Sequence, residues 1–138
     1  MLHANNACNL GSIDVAKFIE ADGTFNTFKF KFAVYNSVRF LDNVIAANQW
    51  PTSEIHAVVM RTRPIGLGLM GVADAMLKLG LRYGSEESLT WLRELMEKFQ
   101  SAAWAASLQL GEEKGAFPEY DANKEAYTNH FCHIFGAD

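Results

Sequence analysis

Apolar residues recur at helical spacing over two long stretches of the chain, and each stretch predicts an amphipathic helix. The first helix covers roughly residues 27–48. Phenylalanine and lysine alternate at positions 28–32, which is typical of a half-buried strand, but the longer helical pattern outweighs this shorter one. The second and stronger helix begins after Ser85 and ends at Gly115. Its apolar stripe alternates steps of three and four residues through Leu89, Leu92, Met96, Phe99, Ala103, Ala106 and Leu110.

Shorter segments between these helices carry their own start signals. Ser12 can cap a short helix, in which Asp14 would occupy the first turn. Thr52 or Ser53 can begin another short helix after the break at the preceding tryptophan and proline. A third short helix is expected over residues 72–79, because a glycine follows directly at its end.

The predicted fold is therefore mostly helical, with one or two short strands near Cys8 and near Ile65–Leu69. A chain of 138 residues without a linker or an internal repeat suits a single domain. Apolar residues make up 49% of the chain and charged residues 20%, a balance that excludes a disordered protein.

Charge and composition exclude several kinds of partner. The net charge of −4 gives no general affinity for nucleic-acid phosphates. The longest apolar run is too short for a membrane span. Two cysteines cannot build a disulfide framework, and the N-terminal residues show no export signal. We therefore expect a cytoplasmic protein, with neither a membrane nor a nucleic acid among its partners.

Gly66, Gly68 and Gly71 match the dinucleotide fingerprint G-x-G-x-x-G, in which backbone amides approach a pyrophosphate at a helix N-terminus. The fingerprint should follow a buried apolar strand, yet two arginines and a proline stand directly before it. It should also precede a second strand with an acidic end, and no convincing strand follows. We favour a tight strand-to-helix turn with close backbone packing over a dinucleotide site.

The C-terminal tail contains His130, Cys132 and His133, which resemble part of a zinc site. Structural zinc needs four ligands at compatible spacing, and the remaining cysteine and histidines are remote in sequence. A chance composition of the tail is the better interpretation. The histidines also lack a nearby serine or paired acid, so no hydrolytic triad is predicted.

Cys8 is the candidate reactive residue. By default a lone cysteine in an apolar chain is a small buried hydrophobe. The neighbours of Cys8 are asparagine, glycine and serine, which make a polar setting where a thiol can be reached. Taken alone, these residues leave a structural thiol and a redox thiol both open.

Five sequence blocks extend the comparison beyond single residues. They are A-C-N-L-G-S-I-D-V-A-K-F (residues 7–18), V-R-F-L-D-N-V-I (38–45), T-R-P-I-G-L-G-L-M-G-V-A-D (62–74), Y-G-S-E-E (83–87) and E-K-G-A-F-P (113–118). In order and spacing these blocks resemble the catalytic subunit of ribonucleotide reductases. The first block is similar to the family's C-N-L-G-S-I-N-L segment, and the third explains the glycine motif as part of the family framework.

The resemblance implies an α/β fold, a ten-stranded barrel, and an enzyme that reduces ribonucleotides to deoxyribonucleotides by radical chemistry. In that family a thiyl radical on one cysteine abstracts the 3′ hydrogen of the substrate. A second pair of cysteines supplies two reducing equivalents and closes into a disulfide. By its place in C-N-L-G-S, Cys8 matches one member of this pair. A thioredoxin-like or other dithiol reductant and a homodimer of the full-length enzyme are also implied.

The C-N-L-G-S form favours the adenosylcobalamin-dependent class of the family. A class with a separate metal-containing radical subunit is the alternative, because the same form occurs there.

The chain also departs from the family pattern. The N-x-C-x-E motif with the radical cysteine, and the partner of Cys8, lie upstream in the family. We therefore expect residues 1–138 to be a partial barrel domain that is inactive alone. Asp14 and Pro64 replace a usual asparagine and a usual arginine, and residues from about 128 to 138 form a divergent tail.

Two further functions stay open at this point. The chain could be a small helical interaction module that binds a partner through the Leu89–Leu110 face. It could also be a piece of a nucleotide-binding dehydrogenase that uses Gly66, Gly68 and Gly71.

Overall fold

The computed structural model of the chain describes residues 4–135, and side chains as far as residue 129. Six α-helices, two strands and one 3-10 helix make up this part of the chain. In chain order they are β1 (Asn9–Asp14), the 3-10 helix (Val15–Phe18), α1 (Thr27–Ala47), α2 (Ser53–Thr62), β2 (Ile65–Met70), α3 (Val72–Lys78), α4 (Glu86–Lys114), α5 (Pro118–Ala122) and α6 (Lys124–Phe135).

The two strands form a parallel sheet. Asn9 pairs with Ile65 at one end, and Asp14 pairs with Met70 at the other. Parallel strands need a long crossover, and here α1 and α2 supply it. The prediction of short strands near Cys8 and Ile65–Leu69 is confirmed.

The predicted helix after Ser12 is wrong. Ser12 lies within β1 opposite Gly68, and the strand continues to Asp14. The short helix that follows is a 3-10 helix, and Asp14 caps it by accepting a hydrogen bond from the Ala16 amide at 3.1 Å. Pairing with β2 outweighs the local capping preference of serine, because every residue of β1 gains a partner in β2.

The packing of α1 against α4 forms the centre of the protein. Asn26 caps α1, accepting a hydrogen bond from the Lys29 amide at 2.9 Å, so the helix predicted at roughly 27–48 is confirmed. The strand-like alternation within it falls on two faces of the helix: Phe30 is buried, whereas Phe28 and Phe32 are exposed. The buried residues of the main cluster are Ile13, Val15, Ala16, Phe30, Val34, Ala75, Leu95 and Ala102.

Helix α4 begins and ends as expected, with Ser85 as its N-cap and Gly115 at its C-terminus. Its buried face is displaced from the predicted stripe, because Leu89 and Met96 are exposed while Leu95 and Ala102 are buried. Small side chains at the contact let two helices approach closely, which favours Ala102 there. The C-terminal half of the stripe packs on α1, so the Leu89–Leu110 face is not a continuous free surface for a partner.

The glycine motif forms a strand rather than a phosphate-binding loop. Gly66 and Gly68 lie inside β2, paired with β1, so their amides do not surround a helix N-terminus. Gly71 has a φ of 70° and connects β2 to α3, so the interpretation as a strand-to-helix turn is confirmed at this position. The alternative of a dehydrogenase fingerprint is wrong.

Several large apolar side chains remain uncovered. The chain exposes 9109 Å² of surface, whereas a compact monomer of 15.4 kDa exposes about 7,200 Å². Over the part of the chain that the structure describes, no helix is long and apolar enough to cross a membrane. The exposed large apolar side chains are Leu10, Phe28, Phe32, Phe40, Met70, Leu77, Tyr83, Leu89, Met96 and Leu108.

Candidate functional site

Cys8 lies directly before β1 and is half-buried. Its Sγ is 3.5 Å from the carbonyl oxygen of Asn9. On the other side it faces Gly66, where a Cβ would stand 3.7 Å from this sulfur. None of the side chains that the structure describes forms a disulfide with Cys8. The Leu10 side chain occupies the space at Gly66, because its Cδ2 lies 2.5 Å from the position of that Cβ. A second group would therefore reach the sulfur from its exposed side.

Asn6 ties the segment before Cys8 to the end of α2. Its Oδ1 accepts a hydrogen bond from the Ala7 amide at 3.0 Å. Thr62 Oγ1 lies 3.3 Å from the same oxygen and can donate its proton to it. The Thr62 hydroxyl also donates to the Val58 carbonyl oxygen, at 2.9 Å. The chain two residues before Cys8 is thereby held against α2.

Asn9 ties the segment after Cys8 to α1. Its Nδ2 donates a hydrogen bond of 3.3 Å to the carbonyl oxygen of Leu41. Cys8 therefore lies between two asparagines, one bonded to α2 and the other to α1.

An ion pair between Asp42 and Arg63 also joins α1 to the end of α2. Arg63 donates from Nε at 2.9 Å and from Nη2 at 2.6 Å to Oδ1 of Asp42. Nη2 also reaches the Asp42 carbonyl at 3.0 Å, and Lys114 of α4 bonds to the other carboxylate oxygen at 2.5 Å. One carboxylate thus connects α1, the end of α2 and the end of α4.

The electrostatics of this cluster favour the charged carboxylate. Burial alone would raise the pKa of Asp42, but the hydrogen bonds from Lys114 and Arg63 outweigh that effect and lower it from its ordinary value of 3.8. Charge-assisted bonds of this kind are shorter and stronger than neutral ones. Asp42 is therefore ionised at neutral pH and holds both cations.

Of the other residues considered from the sequence, none whose side chain is described joins Cys8. The side chains of His130, Cys132 and His133 lie outside the described residues, although their backbone belongs to α6. His56 is exposed on α2. Among the described side chains, no group of three or more histidines, cysteines or acids could hold a metal ion.

Sequence reasoning missed the ion pair that joins α1 to the end of α2. Asp42 and Arg63 occur in the second and third blocks of the resemblance, but nothing in the sequence was a reason to assign either of them a role. The signal that could have found them is a pair of opposite charges in two blocks that both flank the Cys8 strand.

The family model described as "Ribonucleotide reductase, barrel domain" matches residues 2–136. The chain belongs to the ribonucleotide reductase family. The resemblance of the five blocks is thereby confirmed, and the two parallel strands with their helices are part of the barrel-domain family of these reductases.

Curated relatives agree with this family. A "Vitamin B12-dependent ribonucleoside-diphosphate reductase" of Mycobacterium tuberculosis is 41% identical over 120 residues, which are 87% of this chain and 17% of the relative. A protein of the same name from Thermoplasma acidophilum is 39% identical over 83% of this chain and 15% of its own length. The "Ribonucleoside-diphosphate reductase subunit alpha" of Chlamydia trachomatis is 38% identical over 85% of this chain and 11% of its own length.

The chain therefore spans about a sixth or less of the length of these reductases, since the matched shares are 17%, 15% and 11%. What the described residues contribute is a pair of neighbouring strands, the thiol before the first of them, and the polar contacts that hold that thiol.

Proposed function

We propose that the chain is part of a ribonucleotide reductase that converts ribonucleotides to deoxyribonucleotides, with Cys8 as one thiol of its reducing pair. The observation that carries the proposal is the place of Cys8 in the family's C-N-L-G-S block, at the start of a strand in a chain that matches the family over residues 2–136. Relatives that are 41% and 39% identical are named as ribonucleoside-diphosphate reductases, and we propose the same type of activity for the full-length protein to which this chain belongs.

The reduction step balances with two thiols. One ribonucleotide and two thiols give one deoxyribonucleotide, one disulfide and one water. The C2′–O bond breaks, a C2′–H bond and an S–S bond form, and two electrons pass from the sulfurs to the sugar. Cys8 supplies one of the two thiols, and its partner is an upstream cysteine of the family pattern. A thioredoxin-like or other dithiol reductant then returns the disulfide to two thiols.

The partial exposure of Cys8 supports this role, because a reacting thiol must be reached by its partner. A disulfide requires the two Cβ atoms to come within about 4 Å, so the partner must approach on the exposed side of Cys8. The side facing Gly66 is filled by the Leu10 side chain, whose Cδ2 lies 2.5 Å from the position of an added Cβ.

Adenosylcobalamin is the cofactor that we propose for the full-length enzyme, and it would generate the radical that starts the reaction. The names of the Mycobacterium tuberculosis and Thermoplasma acidophilum relatives support it. The Asn9 amide is bonded to the Leu41 carbonyl and the Arg63 guanidinium to Asp42, and the described residues contain no metal-holding cluster. They do not form a cobalamin site by themselves, and we assign none of them to the cofactor.

We further propose that residues 1–138 form one part of a ten-stranded α/β barrel, with a departure from the family pattern at residues 128–138. The uncovered apolar side chains support this, because neighbouring barrel elements would cover them. The chain alone should catalyse no turnover, since the radical cysteine and the partner of Cys8 belong to other segments. The full-length enzyme would work as a homodimer in the cytoplasm, where a dithiol reductant keeps its thiols reduced.

The test is an assay of the full-length protein with ribonucleoside diphosphates and triphosphates, a dithiol, and either adenosylcobalamin or no cofactor. We expect deoxyribonucleotide only when adenosylcobalamin is present. After one turnover without dithiol, alkylation and mass spectrometry should find Cys8 in a disulfide. Absence of any deoxyribonucleotide under all conditions would contradict the proposed activity, and turnover without adenosylcobalamin would contradict the proposed cofactor.

A further inference from the structure

The contacts around Cys8 close into a ring. From Asn6 the path passes through its side-chain contact to Thr62 and along the backbone to Arg63. From Asn9 it passes through its hydrogen bond to Leu41 and along the backbone to the next residue. That next residue is Asp42, which Arg63 binds, so the ion pair joins the two halves of the path. The backbone from Asn6 to Asn9 completes the ring, and Cys8 lies within it.

We propose that the Asp42–Arg63 ion pair positions Cys8 for its redox reaction by closing this ring. The inference rests on the proposed function of Cys8. Asp42 and Arg63 are positioning residues, because they act on the sulfur through Asn6 and Asn9 rather than by direct contact. The ion pair sets the separation between the end of α2 and the middle of α1, and that separation sets where both asparagines hold the thiol.

The backbone of Arg63 is the first support for a role beyond packing. Its φ of 42° and ψ of 53° place it in the left-handed region, which a non-glycine residue rarely adopts. The conformation ends α2 and turns the chain into β2, while it carries the guanidinium back to α1. A left-handed residue is common where a helix ends, although it is usually glycine, and here the hydrogen bonds to Asp42 help to hold an arginine in that conformation.

Burial and charge give the second support. The side chains of Arg63 and Asp42 are only 20% and 14% exposed, so water weakens their attraction less than on an open surface. Two donors of the guanidinium meet the same carboxylate oxygen, which fixes direction as well as distance. Lys114 holds the second carboxylate oxygen and prevents the carboxylate from rotating away.

The experiment compares three variants in the full-length enzyme. Arg63→Gly removes the guanidinium but permits the left-handed backbone without strain. Asp42→Asn keeps the shape of the partner and removes its charge. The control is Arg61→Ala, which removes the Arg61–Glu119 ion pair of 3.3 Å, in which Arg61 is 53% exposed. Arg61 lies on α2, two residues before Arg63, and bonds to neither Asn6 nor Asn9.

We expect kcat to fall about tenfold or more in Arg63→Gly and in Asp42→Asn, because small displacements of a reacting group are costly. The KM for the ribonucleotide should stay within about twofold, since uniform substrate binding is not affected. In a single turnover without dithiol, the Cys8 disulfide should form about tenfold more slowly. Arg61→Ala should match the wild type in all three measurements.

A Cys8→Ser variant, run in parallel, separates this inference from the proposed function. Wild-type turnover in Cys8→Ser would overturn the redox role of Cys8 and the positioning role with it. Loss of turnover in Cys8→Ser together with wild-type kcat and disulfide formation in Arg63→Gly would overturn the positioning role alone. Equal losses in Arg63→Gly and Arg61→Ala would overturn it as well, because they would show a general effect of the α2 end.

Discussion

The carboxylate of Asp14 occupies the space that a Cβ at Gly71 would fill. Asp14 is the last residue of β1 and caps the 3-10 helix, while Gly71 follows the last residue of β2. The two positions meet because the strands are parallel and in register as far as the Asp14–Met70 pair. The last glycine of the G-L-G-L-M-G segment is therefore required by a capping carboxylate of the neighbouring strand rather than by a nucleotide.

Replacement of Gly71 by alanine should weaken the structure around this contact. A non-glycine residue in the left-handed region and a displaced cap together cost about 2–3 kcal/mol. We expect backbone amides of residues 15–18 and 72–78 to exchange hydrogen faster in the full-length protein, which hydrogen–deuterium exchange measures. Gly80→Ala is the control: its φ of 71° is nearly the same, but nothing lies within 4 Å of the added carbon. Equal effects in both variants would contradict the role of Asp14.

The Asp42 cluster should make stability depend on acid pH. The pKa of Asp42 is lowered in the folded protein, so the unfolded state binds its proton first as the pH falls. Its contribution is complete well above the ordinary value of 3.8 and is lost as the pH falls through 3.8 toward the lower folded pKa. We expect Asp42→Asn to lower the free energy of unfolding by about 1–3 kcal/mol at pH 7.

Thermal unfolding between pH 3 and pH 7 measures this effect, and the difference from the wild type should shrink toward pH 3. Glu113→Gln is a matched control on the more exposed Arg39–Glu113 pair, and its effect should be smaller. A difference for Asp42→Asn that stays constant across this pH range would show that the charge of Asp42 contributes nothing.

The contact between α1 and α4 predicts unequal effects along one helix. Leu95 is buried in the main cluster, so Leu95→Ala should cost about 2–4 kcal/mol through lost burial and the cavity left behind. Leu108 on the same helix is 69% exposed, and its replacement by alanine should change stability by no more than about 0.5 kcal/mol. Faster hydrogen exchange across α1 and α4 in the first variant only is the expected result. Similar exchange in both variants would contradict the packing.

The uncovered phenylalanines of α1 should make the isolated chain self-associate. Phe28 and Phe32 lie one helical turn apart and are both exposed. We expect the purified chain to show an apparent mass that rises with concentration in size-exclusion chromatography with light scattering. Phe28→Ser with Phe32→Ser should reduce this rise, whereas Lys29→Ser with Lys31→Ser should not. A monomer at all concentrations would contradict the view that these side chains lack their native cover.

Local signals were sufficient for the long helices and insufficient for the sheet. Both ends of α4 follow from the sequence, because a serine before two glutamates starts the helix and a glycine ends it. The cap of α1 at Asn26 was not predicted. The strand character of Ser12 could not be predicted locally, since it depends on pairing with Gly68, which lies far along the chain. The exposure of Leu89 likewise depends on where α1 touches α4.

The candidate site divides in the same way. Cys8 was predicted from one block of residues because its role in the family attaches to that block. The contacts on either side of Cys8 were not predicted. Asn6 meets Thr62, and Arg63 meets Asp42, only after α1 and α2 have folded over the strands. Side-chain hydrogen bonds between segments this far apart leave no periodic trace in the sequence.

The role of Cys8 is tested most directly by a Cys8→Ser variant of the full-length enzyme, with Cys132→Ser as the matched control. The measurement is repeated deoxyribonucleotide formation from ribonucleotide, with adenosylcobalamin and the physiological dithiol reductant present. We expect Cys8→Ser to lose more than about a hundredfold in turnover, because the thiols act as a unit, while Cys132→Ser keeps the wild-type rate. Sustained wild-type turnover by Cys8→Ser would contradict the account.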